Sequence, residues 1–463
     1  MSRSISSNSS SIRGESIEAL TRVPRSLETP VARTRFLSVL GSTGSIGVQS
    51  LQVAEEEDMD VVALACGRNV QLLAEQIRVW RPRYVSVQDE SSRQLLLLLL
   101  GEKAQYRAMT EDKVPLISNI TDAIKNHKNK ESLTPLLVPT SSDLPIIGVG
   151  RRGAVLAAAL PYADTVIGAI TGFAGLEPVL AAADSGKKIA LANKESLVAA
   201  GEVVRRRAAR SGAWILPVDS EHSAVWQCAI AASEEALSRV ILTCSGGPFL
   251  GYSRKELVAV TPEQALRHPT WSMGNKITVD SATLMNKGFE LIEACRLFHL
   301  PPERIEVVVH PESIVHSLAA FSDGSVLAQL GLADMKMPIR FALTFPDRSK
   351  RPESEWFDLL HATSGALTFL APDDDVFPSI LMARDAVRQG GLMPLVLNAA
   401  NEAAVGLFLD GSIDFQRIFS LVGGVLRDFN HMSSINESSF NAMMAVHQEV
   451  QEDVIRHAEI AAV

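Results

Sequence analysis

The apolar run Phe36–Leu40 passes directly into Gly41, Gly44 and Gly47, and this junction constrains the fold more than any other stretch of the chain. A strand that ends in glycines and opens a helix lets the backbone approach a pyrophosphate, which the helix N-terminus then stabilises. The spacing is G-x-x-G-x-x-G, where the familiar dinucleotide turn has G-x-G-x-x-G, so a tight turn without cofactor also fits. Further short apolar runs follow at 60–65, 84–87, 146–149, 165–170, 188–192 and 214–218, with amphipathic stretches between them. Such alternation predicts an α/β fold of the Rossmann type, a parallel sheet covered by helices with ligands at the strands' carboxyl ends.

At 463 residues the chain exceeds the roughly 250 to 300 residues at which one core stops growing, so two or three domains are expected. The expected divisions are a disordered or targeting tail over 1–34, a Rossmann-type domain over 35–218, and a second α/β domain over 219–344, which the resemblance named below makes the NADPH-binding and the catalytic domain. A proline-containing linker over 345–371 and an α-helical domain over 372–463 complete the chain. Within the second unit, apolar runs at 240–243, 306–309 and 326–330 read as strands and 281–298 reads as one helix. The polar stretch 111–142 reads as a surface excursion.

A net charge of −9 gives no broad footprint for nucleic acid, and apolar runs such as 95–100 are far too short to span a bilayer. Cys66, Cys228, Cys244 and Cys295 include no C-x-x-C pair, so the expectation is a reducing compartment with neither disulfide nor zinc. A bacterial cytoplasm is expected, or a plastid if the Ser- and Arg-rich residues 1–34 are a transit peptide; Glu15, Glu18 and Glu28 argue against a transit peptide.

After the second expected strand, where an acidic residue would bind the adenosine ribose of NAD, the chain has Gly67-Arg68-Asn69. The planar fork of Arg68 suits a 2′-phosphate and favours NADP, although an exposed arginine on a helix cap would look the same.

Hard divalent cations such as Mg2+ and Mn2+ take oxygen ligands, and Asp219, Glu221 and Glu290 supply that chemistry. In Asp219-Ser220-Glu221 the outer carboxylates share a side if the segment is extended. A helix N-cap followed by a first-turn acid fits the triplet equally well. Ser245-Gly246-Gly247-Pro248 is a small-residue turn with backbone donors for a phosphate, and Ser281, Asn286 and Lys287 add donors close to Glu290. The irregular stretch 267–275, centred on Trp271, reads as a lid or as a loop anchored by a packed tryptophan. His222, His268, His310 and His316 lie in or near these segments, with no spacing typical of a metal-binding histidine pair.

Taken in order, LGSTGSIG, LANKESLV, PVDSEH, SGGPF, RHPTWSMG, DSATLMNKGFE and LNAANE resemble the 1-deoxy-D-xylulose 5-phosphate reductoisomerase family of non-mevalonate isoprenoid biosynthesis. The resemblance runs from about residue 37 to the C-terminal helices and implies a homodimer using NADPH and Mg2+ or Mn2+. It assigns Thr43, Gly44, Ser45 and Ile46 to the cofactor phosphates and Gly67, Arg68 and Asn69 to the adenosine end, with Asn193, Glu195 and Gly274 as further cofactor contacts. Asp219, Glu221 and Glu290 would hold the metal. Ser220, Ser245, His268, Ser281, Asn286 and Lys287 would bind the sugar phosphate, together with Glu221 and Glu290. Lys194 would lie beside the reacting carbons, Trp271 would cover the ligand, and Glu221, His268 and His316 would join Lys194 in catalysis. The implied reaction rearranges the phosphorylated ketose to an aldehyde and reduces it to 2-C-methyl-D-erythritol 4-phosphate. The rivals are a metal-independent NADP-linked sugar-phosphate dehydrogenase and a non-catalytic NADPH sensor.

Overall fold

The computed structural model describes residues 22–24, 26–101, 108–109, 145–230, 232–233, 235–268, 271, 273–363, 365–435 and 439–460. The stretch 111–142, expected as a surface excursion, lies outside them.

Among the described residues, eight strands form one parallel sheet: β1 (Phe36–Leu40), β2 (Asp60–Ala65), β3 (Tyr84–Val87), β4 (Ala108–Met109), β5 (Ile146–Val149), β6 (Thr165–Gly168), β7 (Lys188–Leu191) and β8 (Trp214–Pro217). Their spatial order is β4-β5-β3-β2-β1-β6-β7-β8, with the order reversing at β1. Val39, Leu64, Val85, Val166, Ile189 and Ile215 are all buried. Parallel strands covered on both faces read as unbroken apolar runs, which is why these segments were visible in the sequence. The covering helices are α1 (Ser45–Glu56), α2 (Val70–Trp80), α3 (Glu90–Leu100), α4 (Gly150–Ala159), α5 (Leu176–Asp184) and α6 (Lys194–Ser211). The β1–α1 turn is tight: Gly41 has φ +82°, and a Cβ on Gly47 would sit 2.2 Å from Gly41 O.

After β8 the chain enters α7 (Ser220–Ala229) and a second sheet of β9 (Leu237–Cys244), β10 (Ile305–Val309), β11 (Val315–Phe321) and β12 (Val326–Leu330), in the order β10-β9-β11-β12. The sequence reading missed β11, which pairs antiparallel with both β9 and β12. The single helix expected over 281–298 is corrected to α8 (Asn275–Ala282) and α9 (Met285–Phe298). Leu284, at φ +58°, takes a left-handed conformation that no continuous helix accommodates. Next come α10 (Lys336–Thr344), α11 (Ser379–Gln389), α12 (Met393–Leu409), α13 (Phe415–Asp428) and α14 (Phe440–Ile460). α10 returns to pack on α1, so the stretch 219–344 reaches back across the first sheet. Trp226 of α7 packs edge-on to Phe341 at 4.7 Å and lies 5.0 Å from Phe345, fixing α7 against α10. α12 lies among α6, α8, α13 and α14, so the C-terminal helices meet both sheet regions.

The disordered or targeting tail expected over 1–34 is corrected in its described part, residues 22–24 and 26–34. Arg22 lies over the Trp214 ring at 4.0 Å, Ile215 N donates to Arg22 O, and Val23 is fully buried. Trp226 Nε1 donates to Pro24 O, so this segment satisfies a buried indole and covers the outer edge of β8. No helix among the described residues is long and apolar enough to cross a membrane.

Candidate active site

The carboxyl ends of β1, β6, β7 and β8 open on a cleft of about 800 Å³, closed from the other side by residues of α8, α9 and the 331–335 segment. Asp219 follows β8 with extended ψ, and Glu221 stands in the first turn of α7. Asp219 occupies the N-cap position of α7 with Glu221 in its first turn, as the cap reading has it, although the Asp219 side chain makes no capping hydrogen bond. The wholly extended reading fails, because α7 starts at Ser220. Glu290 projects from α9 one turn beyond Asn286. One oxygen each from Asp219, Glu221 and Glu290 falls within 4.8 Å of the others.

Two ammonium groups stand among these acids. Lys194 Nζ donates to Asp219 Oδ2 at 2.6 Å and to Glu290 Oε1 at 3.1 Å. Lys287 Nζ donates to Glu221 Oε1 at 2.8 Å and to Glu290 Oε2. Asn286 Nδ2 donates to Glu290 Oε1 at 2.7 Å, and Ser220 Oγ donates to Glu221 Oε2. Burial alone would raise the acids, but Lys194 and His222 hold Asp219 well below the carboxylate range, and Lys287 lowers Glu221. Glu290 goes up instead, through burial and the neighbouring Glu221 charge. Burial opposes both lysine charges, yet the surrounding carboxylates raise Lys194 and Lys287 above the usual ammonium value.

Sequence reasoning missed Glu293 and gave His222 no role. His222 Nε2 donates to Glu290 O at 2.9 Å, while Nδ1 lies 3.5 Å from Asp219 and 3.9 Å from Glu293. Asp219, His222 and Glu293 thus form a second group compact enough for a metal. Burial disfavours the imidazolium, but Glu293 and Asp219 outweigh it and raise His222 to about 9. Of the two groups, the all-oxygen triad Asp219, Glu221 and Glu290 matches the ligand preference of a hard divalent cation. The available signal was helical spacing, since Asp219 and His222, like Glu290 and Glu293, stand three residues apart.

At the next wall of the cleft, His268 Nε2 lies 3.0 Å from Ser281 Oγ and 3.4 Å from Ser245 Oγ. Trp271 N donates to His268 Nδ1 at 2.9 Å, which leaves Nε2 as the protonated nitrogen of a neutral ring. Burial lowers the His268 pKa, in agreement with that tautomer. Trp271 lines the cleft beside Met273 and Gly274; Pro269, Thr270 and Ser272 of the expected lid lie outside the described residues.

Gly44, Ser45 and Ile46 line the opposite end, with Asn193 and Glu195 between them and the acids. Thr43 lies in the same turn, half-buried. Gly67, Arg68 and Asn69 are exposed at the end of β2, outside the cleft wall, and the Asn69 side chain caps α2 by accepting from Leu72 N. His316 is held beneath the wall on β11, buried, with Nε2 3.3 Å from Leu332 O.

Profiles of one family match most of the chain: 1-deoxy-D-xylulose 5-phosphate reductoisomerase over 37–121 and 117–201, its C-terminal domain over 215–298, and the DXP reductoisomerase C-terminal domain over 330–453. The chain belongs to the 1-deoxy-D-xylulose 5-phosphate reductoisomerase family. The reductoisomerase of Symbiobacterium thermophilum is 48% identical over 393 residues, covering 84% of this chain and 91% of that protein. That of Pelotomaculum thermopropionicum is 46% identical over 390 residues, covering 84% and 90%. The Zymomonas mobilis enzyme in complex with NADPH superposes with a TM-score of 0.76 at 36% identity, covering 92% of this chain and 100% of that one. A DOX-P reductoisomerase in complex with NADPH, fosmidomycin and magnesium gives 0.78 at 36% identity, covering 92% and 99%. The family resemblance and the α/β fold expected from the sequence are both borne out.

Proposed function

We propose that this chain catalyses the NADPH-dependent rearrangement and reduction of 1-deoxy-D-xylulose 5-phosphate to 2-C-methyl-D-erythritol 4-phosphate, assisted by a divalent cation. The observation that carries the reading is the convergence of three carboxylates within 4.8 Å, with Lys194 and Lys287 among them. Asp219, Glu221 and Glu290 hold a Mg2+ or Mn2+, whose Lewis acidity toward a ketone oxygen and its neighbouring hydroxyl is what the rearrangement requires. Magnesium in a related structure supports this donor set.

Ser245, His268 and Ser281, with Asn286 and Lys287, take the substrate's phosphate and hydroxyls through neutral and charged donors. Ser220 orients Glu221 by its hydrogen bond. Lys194 stabilises negative charge on the substrate oxygens during rearrangement, and Trp271 excludes water over the reacting carbons. NADPH supplies the hydride; Thr43 to Ile46 bind its pyrophosphate, Gly67 to Asn69 its adenosine end, and Asn193, Glu195 and Gly274 the remainder. His316 supports the 331–335 wall from below.

Two chains pair as a homodimer along β12, a sheet-edge strand that exposes Val326 and Leu327. Four free cysteines and bacterial relatives support a cytoplasmic location.

NADPH absorbance is followed with 1-deoxy-D-xylulose 5-phosphate, with and without Mg2+ or Mn2+ and then with a chelator. Metal-dependent oxidation is expected. Oxidation that persists under chelation would return the choice to a metal-independent dehydrogenase.

A further inference from the structure

β1 stands between β2 on one side and β6 and β7 on the other. In such a sheet a dinucleotide crosses the carboxyl ends at the point of reversal, with adenosine beside β2 and the nicotinamide half over the next strands. Here those next strand ends are the 169–172 and 192–195 segments, which form one wall of the cleft. The ribose on that side carries two free hydroxyls whether the cofactor is NADH or NADPH, because the extra phosphate sits on the adenosine ribose. It therefore calls for a paired acceptor.

The other carboxylates of this wall are committed to one another's partners. Glu195 Oε1 faces Lys276 at 3.4 Å and its Oε2 accepts from Asn193 Nδ2 at 2.8 Å. Asp280 takes Lys276 at 2.9 Å and Asn401 Nδ2 at 2.6 Å. The same Asn193 amide also donates to Ile170 O and Gly172 O.

Glu402, on α12, differs. Its Oε2 pairs with His447 Nε2 at 3.2 Å, while its side chain stays 31% exposed, on the cleft. Its Oε1 lies 3.3 Å from where a Cβ on Gly172 would stand, and Gly172 has φ +74°, so glycine there leaves the carboxylate room against the β6 loop. His447 of α14 is buried and stacks on Phe173 with ring centroids 4.5 Å apart. The C-terminal helices thus anchor Glu402 from behind and direct its second oxygen to the nicotinamide side.

We propose that Glu402 accepts hydrogen bonds from the hydroxyls of the nicotinamide-bearing ribose, making the C-terminal helices part of the cofactor site. This rests on the NADPH reading above. A carboxylate on a ribose diol is the device dinucleotide folds use at the adenosine end, a place where this chain has Arg68 instead. Lys276, which pairs with Glu195 and Asp280, keeps the wall from accumulating uncompensated negative charge.

The test compares binding of NADPH and of 2′-phosphoadenosine 5′-diphosphate, which lacks the second ribose, to the full-length wild-type enzyme and to Glu402→Ala. NADPH should weaken about tenfold, the loss of a charge-assisted contact, with the truncated ligand unchanged. Glu402→Gln, which keeps the side chain's shape and loses its charge, should weaken NADPH alone in the same sense and serves if the alanine variant does not fold. Equal weakening of both ligands, or of neither, overturns the inference while wild-type NADPH binding leaves the cofactor reading standing. Failure of the wild-type enzyme to bind NADPH overturns both.

Discussion

The Lys287 ammonium reaches Glu221 Oε1 at 2.8 Å while also bonding Glu290, so a single cation spans two of the three clustered carboxylates. Removing one carboxylate charge therefore leaves Lys287 paired. Glu221→Gln keeps the side-chain volume and a carbonyl acceptor for Lys287, so the variant should fold, with thermal unfolding close to wild type. Turnover should fall about 100-fold or more, with a higher metal requirement, because a ligand charge is lost. Steady-state rates across a Mg2+ titration check this, and full activity at ordinary metal concentration would remove Glu221 from the site.

Arg68 is exposed at the end of β2, where the chain has no acid to bind an adenosine ribose. Arg68→Ala should raise the KM for NADPH by about tenfold or more, the scale of one charge-assisted hydrogen bond, with little change for NADH. Parallel kinetics with both cofactors decide it; equal losses would assign Arg68 to structure alone.

Lys188 gives a pH dependence whose sign follows from burial. Its Nζ bonds Thr34 Oγ1 at 3.1 Å and also reaches Ala32 O, tying the 22–34 segment to β7. Burial lowers its ammonium from 10.5 to about 8, with Asp164 opposing. The folded chain then releases this proton first. Between about pH 8 and 10.5 the unfolded chain binds more protons, so the group's contribution to stability rises with pH there. Below that window its penalty is constant. The unfolding free energy of wild type minus that of Lys188→Met should therefore increase by on the order of 1 to 3 kcal/mol from pH 8 to 10. Urea unfolding at stepped pH measures it, and a flat difference would mean that Lys188 titrates normally.

What the sequence disclosed follows from which signals are local. β1, β2 and β3 were legible because strands covered on both faces are continuously apolar. β11 was not, since His316, Ser317 and Ala319 dilute its pattern, and its place is fixed by β9 and β12. The break at Leu284 was equally hidden, because leucine is a good helix former and only packing imposes its left-handed backbone. In the site, Asp219, Glu221 and Glu290 were chosen for their chemistry, and the structure brings them together. Glu293 and Glu402 look like ordinary polar positions of a helix. Only the packing of α9 and α12 against α6 buries Glu293 beside Lys194 and His222 and turns Glu402 toward the cleft.

The edge strand β12 provides the last test. Val326 and Leu327 are 47% and 41% exposed, an arrangement that leaves apolar side chains and unpaired backbone groups at a sheet edge. Proteins cover such edges or charge them, because an open one pairs with other chains. If two copies cover it by associating, Leu327→Lys places charge in the interface while changing no residue of the cleft or the buried core. The variant should elute as a monomer in light-scattering chromatography at concentrations where the wild type is dimeric, with its own fold retained by circular dichroism. An unchanged dimer would move the interface elsewhere, and a monomeric wild type would remove the homodimer from the proposal.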